Sequence, residues 1–122
     1  MLFRSIPNYL FASDVLLALW SIKVPTISYC SPLKLFEYMA AGRIILAHAF
    51  PTIKEVLTDN QDAILCEPNN YKSLKTKLKM ALKASKNNEL GIEARKKALN
   101  NYSWDKRVSK LFDFINTNAL CY

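Results

Sequence analysis

Two short apolar runs, DVLLAL at 14–19 and RIILA at 43–47, constrain the fold of this chain more than any other feature. Each is brief and unbroken by polar residues once begun, the pattern of a strand buried on both faces. Between them lies SPLKLFEYMAAG, which carries its own start and stop signals. Ser31 is a good N-cap, and Pro32 suits the first helical position because its missing N–H would be unpaired there. Gly42 suits the left-handed residue past the end, so a helix is expected over roughly 32–41. Strands alternating with helices predict an α/β domain with a parallel sheet.

The rest of the chain extends the pattern. Residues 20–31 read as a loop around Pro25, and a short helix is expected near 51–57, led in by Pro51 and Thr52. A turn then gives a third strand, 63–66. A long helix over about 71–85 has one apolar stripe of Leu74, Leu78, Ala81 and Leu82. NNELGIEARKKALNNY predicts another helix, weakened at Gly91. A last helix starts at Ser103, with Trp104, Val108, Leu111 and Ile115 on one face and Phe112 beside it. Three strands are few for a Rossmann-like sheet. The expected fold is therefore a partial Rossmann-like three-layer domain that opens at a strand whose usual neighbours would precede it, leaving one sheet edge uncovered. At 122 residues the chain is expected to form one domain.

No apolar run reaches transmembrane length, and the start, MLFRSIPNYLF, lacks the parts of a signal peptide. Cys30, Cys66 and Cys121 are widely spaced without a Cys-x-x-Cys pair, so free thiols in a reducing compartment are expected. The location read from these features is cytoplasmic. His48 is the only histidine and nothing clusters with it at ligand spacing, so no metal site is predicted. The net charge of +7 is lopsided: residues 1–70 hold five basic and six acidic side chains, residues 71–122 twelve basic and four acidic.

The helix after Ser31 places a cation, Lys34, in its first turn, where the helix dipole repels it. An anion at that helix start would resolve the conflict. The free N–H groups of residues 33 and 34 would bind a phosphate, and Lys34 would add a charge-assisted hydrogen bond. Glu37, one turn on, could then accept hydrogen bonds from a sugar's hydroxyls. The alternative is an ordinary capped helix in which Lys34 and Glu37 form a weak surface pair of about 0.3 kcal/mol. There is no GxGxxG and no Walker motif.

SPLKLFEYMAAGRIILA, PTIKEVL, DAILCEPNNYKSL and NNYSWDKRV, in that order, resemble the C-terminal domain of family 4 retaining glycosyltransferases with the GT-B fold. The likeness runs from about Pro7 to Phe114. It implies that the whole chain, 1–122, is a partial nucleotide-sugar-binding domain, the second half of that C-terminal domain, including a C-terminal helix at about 104–117. It implies a reaction, transfer of a sugar from a nucleoside-diphosphate sugar to an acceptor with retention. It also implies site residues: Ser31, Pro32, Leu33 and Lys34 around the donor diphosphate, and Glu37 on the donor ribose. No cofactor is implied beyond the donor substrate, and the sequence has no Asp-x-Asp metal motif. The resemblance names no catalytic residue here: the position of a second acidic residue in many relatives is Tyr29, although relatives with the SPLK form often lack that acid too. The acceptor-binding N-terminal domain is not covered, nor are the first strands of the nucleotide domain. The chain alone is therefore expected not to catalyse transfer, and to need the missing N-terminal half or to self-associate. The alternative is a non-catalytic α/β module that binds a partner protein.

Other residues have plainer readings. His48 is expected to line a loop or pack, Glu55 to face solvent beside Lys54, and Trp104 to anchor the core. Lys72, Lys75, Lys79, Lys83 and Lys86 form one stripe along the long helix, either a solvated face or a contact with anionic lipid at the inner membrane face. No nucleic-acid motif accompanies the charge, and no nucleic-acid partner is expected.

Overall fold

The computed structural model describes residues 5–119, so Cys121 lies outside the described residues. Its elements are α1 (Ile6–Ala12), β1 (Val15–Ala18), a 3-10 turn (Pro25–Ser28), α2 (Leu33–Ala41) and β2 (Ile44–His48). After them come α3 (Pro51–Lys54), β3 (Ile64–Cys66), α4 (Tyr71–Ala84), α5 (Glu89–Asn101) and α6 (Trp104–Ala119). The expected α/β class and parallel sheet are present. β2 is central, pairing Val15 with Ile44 and Ala18 with Ala47 on one side, and Leu46 with Ile64 and His48 with Cys66 on the other.

Side-chain alternation along β2 builds the layers. Ile45 and Ala47 join Leu35 and Met39 of α2 and Ala94 and Ala98 of α5 in one buried cluster. Ile44 and Leu46 join Ile64, Cys66 and Ala81 of α4 in a second cluster on the opposite face. The sheet is thus sandwiched, with α2 and α5 on one side and α4 on the other.

Several boundaries and roles differ from the sequence reading. α2 begins at Leu33, one residue late. Pro32 has ψ 112°, extended rather than helical, so it occupies the cap position itself, and Ser31 makes no capping bond. A proline ring fixes φ and leaves ψ free, so Pro32 fits here as well as in the first turn. β1 is not buried on both faces: α4 lies over β2 and β3, and Leu17 is 47% exposed. Leu82 is exposed, whereas Leu74, Leu78 and Ala81 pack inward. The segment 6–12, left unassigned by the pattern, is helical, and the Arg43 guanidinium donates to the Phe11 carbonyl at its end.

Gly91 does not weaken α5. Gly42 closes α2 in the left-handed region at φ 66°, and α5 crosses directly over it. A Cβ on Gly91 would lie 2.6 Å from the Gly42 carbonyl oxygen and 2.9 Å from the Arg43 carbonyl carbon. The Asn88 amide donates to that same carbonyl at 2.8 Å. Two glycines therefore let the helices touch backbone to backbone.

The loop joining α3 to β3 is tied to both helical layers. Buried Asp62 accepts from the Thr58 N–H at 2.7 Å and from Lys97 of α5 at 2.6 Å. Asp59 accepts from the Leu65 N–H at 2.8 Å and from Lys77 of α4 at 3.0 Å. α6 is different: every side chain from 104 to 117 is exposed, and Trp104, expected in the core, is 77% exposed. It follows α5 through the bend at Tyr102 and Ser103, which leaves its apolar face outside both clusters.

Candidate functional site

Because β1 and β2 run parallel, both release the chain at the same rim of the sheet, through Leu19–Trp20 and His48–Ala49. α2 returns the chain from that rim to the start of β2, so its N-terminus stands at the carboxyl ends of the strands. This is where α/β sheets place their ligand crevices. The Leu35 N–H bonds to the Pro32 carbonyl at 3.0 Å, while the Leu33 and Lys34 N–H groups have no partner among the described residues. Two donors and the positive end of a nine-residue helix thus face outward.

The conflict posed by Lys34 has a local answer. Its Nζ lies 4.7 Å from the centroid of the Trp20 ring, the first aromatic beyond β1. A ring face holds a cation that a helix N-terminus repels. Lys34 forms no pair with Glu37, and neither residue is in an ion pair among the described residues. The simple surface-pair reading is therefore not what the structure contains.

Ser31 and Leu33 border a groove of about 360 Å³ whose other wall is Tyr102, Trp104, Arg107 and Lys110. Leu33 is 75% exposed at its mouth. Glu37 opens instead into a hollow of about 470 Å³ between α1 and α2, with Pro7, Phe11 and Ala40. Of the five residues singled out in the sequence, Ser31 and Leu33 share one groove, Pro32 caps α2 between them, Lys34 turns toward Trp20, and Glu37 faces the separate hollow beside α1.

A third hollow of about 450 Å³ lies at the strand rim itself, bordered by Trp20, His48, Asn69, Asn70 and Tyr71. Asn70 caps α4 by accepting from the Ser73 N–H at 3.0 Å. The His48 Nδ1 meets the backbone of Trp20, 3.2 Å from its N–H and 2.7 Å from its carbonyl oxygen, so either ring tautomer finds a partner there. His48 also meets Phe50 edge-on at 6.0 Å. It fixes the turn that carries Trp20, as its lining role requires. Glu55 is exposed just past α3.

Cys66, paired with His48 across the sheet, is buried, and burial pushes its thiol above the ordinary range despite the opposing pull of Lys77. It remains a protonated core thiol. Burial, followed by the negative charge of Glu37, likewise raises the Tyr38 phenol. Cys30 and Cys66 are both free. No three His, Cys, Asp or Glu side chains gather as a metal-holding group among the described residues, and no described helix is long and apolar enough to cross a membrane.

Pattern reading missed Trp20, Arg107 and Lys110. An aromatic two residues beyond a strand at its carboxyl end was a usable signal for Trp20. For Arg107 and Lys110 there was none, because the side of α6 that borders the groove is decided by the bend at 102–103.

Comparison with protein families gives a match. The sequence model described as glycosyl transferases group 1 covers residues 7–98, well over half of the chain. No curated protein matches it.

Proposed function

The chain belongs to the group 1 glycosyltransferases, and from that premise we propose that it forms the donor-nucleotide part of an enzyme transferring a sugar from a nucleoside-diphosphate sugar. One observation carries the reading: the N-terminus of α2 stands at the strand rim with two unpartnered N–H groups and Lys34 beside it.

When the bond from the anomeric carbon to the diphosphate oxygen breaks, negative charge accumulates on the departing diphosphate. The N–H groups of Leu33 and Lys34, the helix dipole and the Lys34 ammonium oppose that charge at fixed positions. Ser31 and Pro32 shape the approach. Glu37, one turn along α2 and in no ion pair among the described residues, is suited to accept from two ribose hydroxyls. The order of the SPLK, PxxxEV and YSW motifs favours family 4 within the group, and with it retention at the anomeric carbon.

Acceptor binding belongs to a second domain, supplied in the same or another polypeptide. The open edge of β1 and the uncovered apolar face of α6 support this division, since unpaired edges and exposed apolar faces are where other segments dock. Reacting groups must be held to a fraction of an ångström, so the donor half alone is expected to be inactive.

Titration with nucleoside diphosphates tests the reading. Binding is expected to be weak, and Glu37→Ala should weaken it further by about 1.5–3 kcal/mol, the value of a hydrogen bond to a charged group. Lys34→Ala should weaken diphosphate and leave nucleoside binding unchanged. Equal affinity of wild type and both variants would overturn the site.

A further inference from the structure

We propose that the outer face of α4 is a docking surface for an anionic lipid bilayer. Lys72, Lys75, Lys79, Lys83 and Lys86 all project from one side of this helix and its C-terminal turn, and all are exposed. α4 contains no acidic residue at all. The contrast with neighbouring lysines is what gives the stripe meaning. Lys77, on the inward side of α4, is paired with Asp59, and Lys96 and Lys97 of α5 with Glu93 and Asp62. The five outer lysines have no such carboxylate among the described residues.

A merely solvated helix face usually intersperses acids with bases, because like charges three and four residues apart repel along it. Here that repulsion is left standing, and a negatively charged surface would relieve it. Tyr71 and Leu82 border the lysine side and are exposed, 75% and 53% respectively. Cations flanked by an aromatic and a leucine match the headgroup boundary, where lysines meet phosphates and apolar tips enter the acyl region. Nucleic acid would reward the charge but not Leu82.

The experiment is sedimentation of the full chain with vesicles of phosphatidylcholine containing a third phosphatidylglycerol, and with pure phosphatidylcholine. Binding is expected only to the anionic vesicles and should fall with added salt. Lys75→Gln with Lys79→Gln should lower partitioning by about 25-fold, roughly fivefold per lysine, whereas Lys23→Gln with Lys54→Gln, an equal change in net charge elsewhere, should barely change it. Leu82→Ser should weaken binding and Leu111→Ser on α6 should not. The proposal is overturned by equal losses in the two lysine pairs, by dependence on Leu111 alone, or by absence of vesicle binding. It is equally overturned if an oligonucleotide binds through Lys75 and Lys79 more tightly than the vesicles do. Circular dichroism of each variant confirms that the fold is retained.

Discussion

The three-layer body and α6 come from similarly apolar sequence and meet opposite fates. In β2 every residue from Ile44 to Ala47 is fully buried, while in α6 Trp104, Val108, Leu111, Phe112 and Ile115 all stand in solvent. β2 is an unbroken apolar run and α6 a periodic one, so each has apolar surface to bury. What separates them is the supply of complementary surface: β2 has strands on both sides and helices above and below, whereas α6 packs chiefly against α5 and every described side chain from 104 to 117 stays exposed. Apolar pattern specifies a face, and a fold is obtained only when another element covers it.

The contrast makes quantitative expectations, checked by denaturant unfolding unless stated. Leu46→Ala in the centre of the sheet should cost about 2–5 kcal/mol. Gly91→Ala should cost about 1–3 kcal/mol, because the Gly42 carbonyl is backbone and cannot swing aside; the better helix propensity of alanine recovers only part of this. Lys97→Ala strips the partner from a buried carboxylate and should cost about 1–3 kcal/mol. Cys66 gives a smaller, pH-dependent effect. Its folded thiol is raised, so the neutral form stabilises the fold below the ordinary thiol range, and that stabilisation is lost as pH rises toward the folded value. Stability should therefore decline more steeply with alkaline pH in wild type than in Cys66→Ala, and iodoacetamide should label Cys66 only on unfolding. Leu111→Ser should lower the unfolding free energy least, by no more than about 0.5 kcal/mol. A large loss there would mean that α6 is as well covered as the body.

How much of this was legible depended on whether the deciding physics was local. The three strands, the parallel sheet and the Gly42 stop followed from short patterns, because an apolar run and a left-handed cap act within a few residues. The outward end of α2 was legible for the same reason, although its start moved from Pro32 to Leu33 because the proline is extended, with ψ 112°. The role of Gly91 was not. A glycine inside a helix reads as a weakness until the partner backbone, almost fifty residues earlier in the chain, is known. Trp104 was misread because its burial depends on a neighbour for α6 that no local signal describes. The Lys34–Trp20 contact needed the parallel strands to bring a loop and a helix start to the same rim.

That contact also makes the protein its own optical probe. The chain has two tryptophans, Trp20 beneath the Lys34 ammonium and Trp104 out in solvent near Arg107. A positive charge held against an indole shifts its excited state, so drawing Lys34 toward a phosphate would alter the colour and intensity of Trp20 emission. With Trp104→Phe removing the exposed background, occupancy of the helix end could be followed by light alone, without label or coupled assay.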